Sequence, residues 1–137
     1  MTIDILIFSP DLKKVLLFLR NNEPAKNEYY SIGGRLNKDE DFIECAKRKV
    51  LEEIGVNILD NQLIEVGIVN EKFSNCFFSN EISGHNVNLY FALLLDEKQN
   101  IKLDFQHENY NWFDIQGNFH PYIQEKIKKS LKKLKSI

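Results

Sequence analysis

Between Gly33 and Val56 the chain reads GGRLNKDEDFIECAKRKVLEEIGV, a glycine pair followed by a stretch of helical character that presents carboxylates and an arginine. Oxygen donors such as those of Glu52 and Glu53 suit magnesium or manganese, hard cations that bridge to substrate phosphate and neutralise charge on a leaving group. Adjacent helical residues point about 100 degrees apart, so only one of these two glutamates can aim straight at a single ion. Arg48 stands one turn from both Glu44 and Glu52, where its guanidinium is expected to hold and orient carboxylates while staying charged. Lys49 lies one turn before Glu53 and puts a positive charge on the same face. Fewer divalent ions should then bind, one being the expectation; the alternative is a lysine that carries its head out to water. An adjacent Glu-Glu pair alone is ordinary solvated surface, and its placement behind Gly33-Gly34 with Arg48 one turn back makes it a candidate site.

Two further features carry chemistry. Only three of the 18 basic side chains are arginines, Arg20, Arg35 and Arg48, all at or just before this segment. A chain that otherwise uses lysine has planar, bidentate donors where a diphosphate would demand them, and Arg20 and Arg35 are placed to grip one as it leaves. Gln106-His107, within LDFQHENYNWF, joins an imidazole that can take a proton from water to an amide oxygen that can ligate a hard cation. A lone pair of this kind in a loop usually means nothing.

The elements that must position these residues follow from periodicity. Ile3 to Phe8 and Val15 to Leu19 read as strands joined at Ser9, Pro10 and Asp11, a hairpin or sheet edge opening the fold. Tyr29 to Ile32 delivers the chain to Gly33 and Gly34, whose missing β-carbons permit close backbone approach to a ligand. A helix is predicted over roughly Asp39 to Ile54, with Phe42, Ala46, Val50 and Ile54 as its apolar positions and Gly55 to end it. Further strands are expected at Leu63 to Asn70, Val87 to Leu95 and Tyr110 to Phe113. The polar stretch Glu71 to Asn86 reads as the most mobile loop. The closing KIKKSLKKLKSI reads as a helix with Ile123, Ile127, Leu131 and Leu134 as an apolar stripe and its lysines in solvent. This order predicts an α+β sandwich, a mixed sheet between helices.

At 137 residues, 43% hydrophobic, the chain is one domain's worth and can bury a core without disulfides or a structural metal. A single catalytic domain, 1–137, is expected. A net charge of −2 argues against general nucleic-acid binding. No run of about 18 apolar residues exists and the N-terminus lacks the basic start of a secretory signal, so a soluble cytoplasmic protein with no membrane partner is expected. Cys45 and Cys76 are too few for a disulfide framework or a zinc site, and Cys45 reads as a buried thiol. Tyr110, Trp112 and Phe113 read as core and edge packing rather than a base-stacking platform.

Counted from Gly34, the segment runs G, five residues, Glu40, seven residues, Arg48, then KVLEEIGV. This resembles the Nudix box, G-x5-E-x7-R-E-U-x-E-E-x-G-U with U aliphatic, with Lys49 standing where the family has its first glutamate. The resemblance implies a Nudix-type α/β/α sandwich with a mixed sheet, and structural roles in the box for Gly34, Glu40, Arg48 and Gly55. From Asp4 to about Tyr122 the chain resembles one branch more closely, the GDP-mannose mannosyl hydrolases, which cleave the sugar carbon-oxygen bond. LLFLRNNEPA around Arg20, GGRLNKDE, Lys49 and QHENYNWF carry that likeness. It implies that the Gly33 carbonyl, Glu53 and Gln106 bind one magnesium (manganese being possible), that His107 is the general base, and that Arg20 and Arg35 stabilise the departing GDP. Asp4 matches an acidic position near the nucleotide, and a homodimer is implied. Departures are Glu52, retained where that branch has lost its charge and therefore a further candidate ligand, and Asn86 and a residue near Lys72, which stand where the branch has a tyrosine and a histidine.

Three readings follow: a magnesium-dependent nucleotide-sugar hydrolase acting at carbon, with GDP-mannose the default substrate; a conventional Nudix pyrophosphohydrolase acting at phosphorus, with Glu52 and Glu53 carrying the metals; and a non-catalytic module that binds a nucleotide sugar.

Overall fold

The computed structural model describes residues 1–20, 27–73, 84–103 and 107–137, with the side chains of 72, 73, 84, 85, 107 and 108 excepted. Strand β1, Thr2–Phe8, sets the architecture. Its Ile3, Ile5 and Ile7 enter one hydrophobic cluster and its Leu6 and Phe8 another, all of them buried. A strand apolar on both faces belongs inside a sheet covered on both sides. β1 is accordingly an interior strand, and of the hairpin or sheet edge expected to open the fold it is the hairpin with β2 that forms.

A turn built on Ser9, whose backbone N–H donates to the Lys14 carbonyl at 3.0 Å, leads into β2, Lys14–Arg20. The two strands pair only at Ile7↔Leu16 and Phe8↔Val15. Beyond that they part, and the chain inserts itself into the fork: β3, Tyr29–Tyr30, pairs with β2, whereas β4, Ile32–Arg35, pairs with β1 through Asp4↔Gly33 and Ile3↔Gly34. The glycine pair is thus held between the two halves of the sheet. β5, Leu63–Phe73, and β6, Gly84–Leu94, are antiparallel to each other, β6 runs parallel to β1, and β7, His107–Asp114, runs antiparallel to β2. The result is a mixed sheet of seven strands among the described residues.

Helix α1, Phe42–Ile54, covers the first face through Cys45, Ala46, Val50 and Ile54. It begins later than the predicted Asp39. Asp41 is the N-cap, accepting from the Glu44 N–H at 2.8 Å, Asp39 has φ 64, and Glu40 is drawn away to Arg48. Phe42, expected in the apolar stripe, is 41% exposed, and Cys45 takes a core position in its place. Gly55, at φ 70, closes the helix by donating to the Leu51 carbonyl at 3.0 Å, a left-handed cap that glycine adopts without steric cost. Helix α2, Pro121–Lys135, covers the second face with Ile123 and Ile127. Not all of its lysines lie in solvent: Lys126 is buried, because it falls three residues after Ile123 on the face that meets the sheet. Tyr110 and Trp112 pack against the α1-side cluster and Phe113 against the other. Cys45 is fully buried, and burial pushes its thiol up to about 11; Cys76 and most of the stretch expected to be a mobile loop lie outside the described residues.

Candidate active site

The fork fixes the site. β4 is extended, so the N–H and carbonyl of Gly33 project to the same side of the strand. The Gly33 N–H donates to Glu53 Oε2 at 3.2 Å, so the Gly33 carbonyl lies on the side of β4 that faces Glu53. Glu53 is 1% exposed, and its other oxygen, Oε1, lies 3.1 Å from Lys49 Nζ. A buried carboxylate is costly unless paired and hydrogen-bonded, and here the Lys49 ammonium and the Gly33 N–H are among its partners.

Lys49 does not reach for water. Its side chain is 14% exposed and lies between Glu53 and Glu52, whose Oε2 is 3.4 Å away. Burial disfavours its charged form, but the carboxylates of Glu53 and Glu52 outweigh burial and raise its pKa. The stem runs along Gly34: a β-carbon at that position would stand 2.6 Å from Lys49 Cε. Gly33 faces the other way, where a β-carbon would stand 2.1 Å from Asp4 Oδ1 and 2.4 Å from the Ile3 carbonyl. Gly33 is thus required by the protein groups beside it, whereas Gly34 meets only the movable end of the Lys49 side chain.

Arg48 organises the outer side. It grips Glu40 with two hydrogen bonds, Nε to Oε2 at 2.7 Å and Nη2 to Oε1 at 3.0 Å, and donates to the Arg35 carbonyl at 3.0 Å. Its Nη1 lies 3.3 Å from both oxygens of Glu52. Of the two partners expected for it, Glu52 is present; the second is Glu40 rather than Glu44, because Glu40 precedes the helix and can fold back over the guanidinium. That grip holds the Glu40 carboxyl at about 2. Glu52 is 49% exposed and Glu53 nearly buried, the divergence expected of adjacent helical positions.

Arg35 ends β4 on the surface, and Arg20 ends β2. Arg20 and His107 are partners across the β2 and β7 ladder, next to a register shift at Leu19/Arg20, so two residues 87 positions apart meet at one corner of the sheet. Gln106 lies outside the described residues, as does the side chain of His107. Asp4 sits on the opposite face from Glu53, accepting from Ser31 Oγ at 3.0 Å and from Lys126 Nζ at 3.0 Å. Lys126 also donates to Glu71 at 2.6 Å, and the Tyr30 hydroxyl donates to the same Glu71 oxygen at 3.0 Å. Sequence reasoning missed this buried network; the signal was Lys126 standing in register with Ile123 and Ile127. Asn86 donates to Thr2 Oγ1.

The donor set at Glu53 and Gly33 is all oxygen and suits a hard cation. The carboxylate is already matched by the ammonium of Lys49, and among the described residues no group of three or more His, Cys, Asp or Glu converges as a metal site. No helix among the described residues is long and apolar enough to cross a membrane.

Comparison with known proteins places this geometry. The chain is 28% identical over 116 residues to the low-salt glycan biosynthesis protein Agl8 of Haloferax volcanii, covering 80% of this chain and 69% of that protein. Among solved structures it is similar to a MutT protein from Methanosarcina mazei, with TM-score 0.75, 20% identity and coverage of 98% of this chain and 94% of the other. It is also similar to the NUDIX domain of Shewanella oneidensis NrtR in complex with ADP ribose, with TM-score 0.73, 20% identity and coverage of 97% and 86%. At such identities the structures establish the shared α+β fold. The NUDIX domain family matches residues 1–134, the box geometry falls inside that match, and the chain belongs to the Nudix hydrolase family.

Proposed function

We propose that this protein is a magnesium-dependent nucleotide-sugar hydrolase of the GDP-mannose mannosyl hydrolase type, converting a GDP-sugar and water into GDP and free sugar. The observation that carries the reading is the 3.1 Å ion pair between Lys49 and Glu53. It removes the negative charge that a cluster of divalent ions would need, so activation of water falls to a group outside the box.

His107 is that group. Its place opposite Arg20 on β7 supports a corner where water loses a proton to the imidazole while the water oxygen forms a bond to the anomeric carbon. The carbon-oxygen bond to the diphosphate breaks, its electron pair leaves on the phosphate oxygen, and Arg20 and Arg35 hold the departing diphosphate with planar donors. Glu53, the Gly33 carbonyl and Gln106 would hold magnesium, which when bound supplies neutralisation of the leaving group's charge. The glycan biosynthesis role in the name of the Haloferax volcanii relative fits a sugar nucleotide as substrate. The same reading takes residues 1–137 as one catalytic domain, cytoplasmic and working as a homodimer.

A second reading has one observation in its favour. Glu52, half exposed beside Glu53 and steadied by Arg48, is available as a ligand or base for a conventional pyrophosphohydrolase attack at phosphorus.

The test is incubation of the purified protein with magnesium and a panel of nucleotide sugars in 18O-labelled water. Free sugar bearing the label, with unlabelled nucleoside diphosphate, is the expected result; label on phosphorus, with a nucleoside monophosphate and a sugar phosphate, returns the protein to the second reading. In parallel, His107→Gln should lose about 10²- to 10⁴-fold in kcat, the scale of a general base, and Glu52→Gln should lose far less. The opposite ranking supports attack at phosphorus. Tight binding without turnover would make the chain a nucleotide-sugar-binding module.

A further inference from the structure

Glu53 is closed on both oxygens, by Lys49 at 3.1 Å and the Gly33 N–H at 3.2 Å, and is 1% exposed. A divalent ion bound to that carboxylate would sit about 2.1 Å from its oxygen, within a few ångströms of the ammonium. Both cations cannot occupy one buried carboxylate without strong repulsion, since desolvation strengthens like-charge contacts as much as opposite ones. Lys49 also has another place to go. Glu52 is 3.4 Å from its ammonium and 49% exposed, and the missing β-carbon of Gly34 leaves the stem's track along β4 clear.

We infer that Lys49 is the resident counter-ion of Glu53 and competes with divalent metal for it, so that metal enters this site only by turning the ammonium out toward Glu52. The inference rests on the reading of Glu53 as a metal ligand. In consequence the chain binds one metal weakly on its own, and the charge of the lysine sets that affinity. The ammonium that leaves Glu53 is carried to the solvent side of the helix.

The experiment titrates Mn2+ into the protein without substrate, following free Mn2+ by electron paramagnetic resonance, for wild type, Lys49→Gln, Lys49→Met, Lys49→Arg and Glu53→Gln. Removing the ammonium in the Gln and Met variants should tighten Mn2+ binding about tenfold or more, the scale of a charge pair with one buried member. Lys49→Arg should stay weak, and Glu53→Gln should abolish binding. Circular dichroism confirms folding, and the Gln and Met variants serve for each other should one fail to fold. Equal or weaker binding in both neutral variants, with Glu53→Gln still abolishing it, overturns the inference while leaving the metal site intact. No Mn2+ binding in any form overturns the metal site and the inference together.

Discussion

Gly33 and Gly34 look equivalent in the sequence, yet the residues opposite them make them unlike. A β-carbon on Gly33 meets Asp4 and the backbone carbonyl of Ile3, which cannot swing aside; one on Gly34 meets the flexible end of Lys49. Gly33→Ala is therefore expected to cost roughly 1–3 kcal/mol, as overpacking does, read as a lowered urea midpoint. Gly34→Ala should cost less and should instead displace Lys49, so that a shift in Mn2+ affinity accompanies a nearly unchanged midpoint. Equal midpoints for the two variants would contradict this assignment. At this scale the Arg48–Glu52 pair and the cap at Gly55 were legible beforehand, because helical neighbours and caps depend on residues a few positions away; Arg48's grip on Glu40 was not. Lys49's choice of Glu53 over water was not, because it depends on how deeply Glu53 is buried.

As an element, α1 is anchored by the loop before it. Arg48 holds Glu40 in a fork and reaches the Arg35 carbonyl, tying the helix to the end of β4. The Glu40 carboxyl is held at about 2 against an ordinary 4.5. A depressed folded value means that the unfolded chain binds the proton more readily, so the contribution is fully present above about 4.5 and is lost as pH falls toward 2. Glu40→Gln should thus be less stable than wild type at pH 7, by about 1–2 kcal/mol on the scale of charge-assisted hydrogen bonds. The difference should close by about pH 2, which denaturant titrations at the two pH values would check; a gap independent of pH would place the effect in packing instead. The predicted helix ran to Asp39 because acids crowd that end, a favourable pattern for a first turn. The fork to Arg48 is a competing use for Glu40, and it won.

For the whole molecule, the two sheet faces are locked by different means. The α1 face is apolar up to the Glu53 corner, whereas on the other face Lys126 reaches from α2 to Asp4 of β1 and Glu71 of β5, with the rings of Tyr30 and Tyr90 5.6 and 5.5 Å from its ammonium. Burial and the charge of Asp4 push the Glu71 carboxyl up, against the pull of Lys126. Lys126→Met leaves two buried carboxylates without their cation and should cost about 3–5 kcal/mol; adding Asp4→Asn and Glu71→Gln should restore much of it. Urea denaturation of the single and triple variants decides, and a single variant as stable as wild type would show that the network carries no weight.

The sequence by itself determined the box: the spacing from Gly34 to Val56 places Arg48, Glu52 and Glu53 on a helix, ends that helix at Gly55 and marks Lys49 as the position to explain, all through contacts within a few turns of one another. It also supplied the strands, as short apolar runs bounded by turn residues, and with the order of elements the sandwich. Only the tertiary structure decided that Glu53 meets Gly33, that Arg20 meets His107 across β2 and β7, and that Asp4 faces Lys126, 122 residues away. Those pairings follow from the fork between β1 and β2 and from which face of the sheet each helix covers, and periodicity along a chain records the face a residue takes but not the partner that waits there.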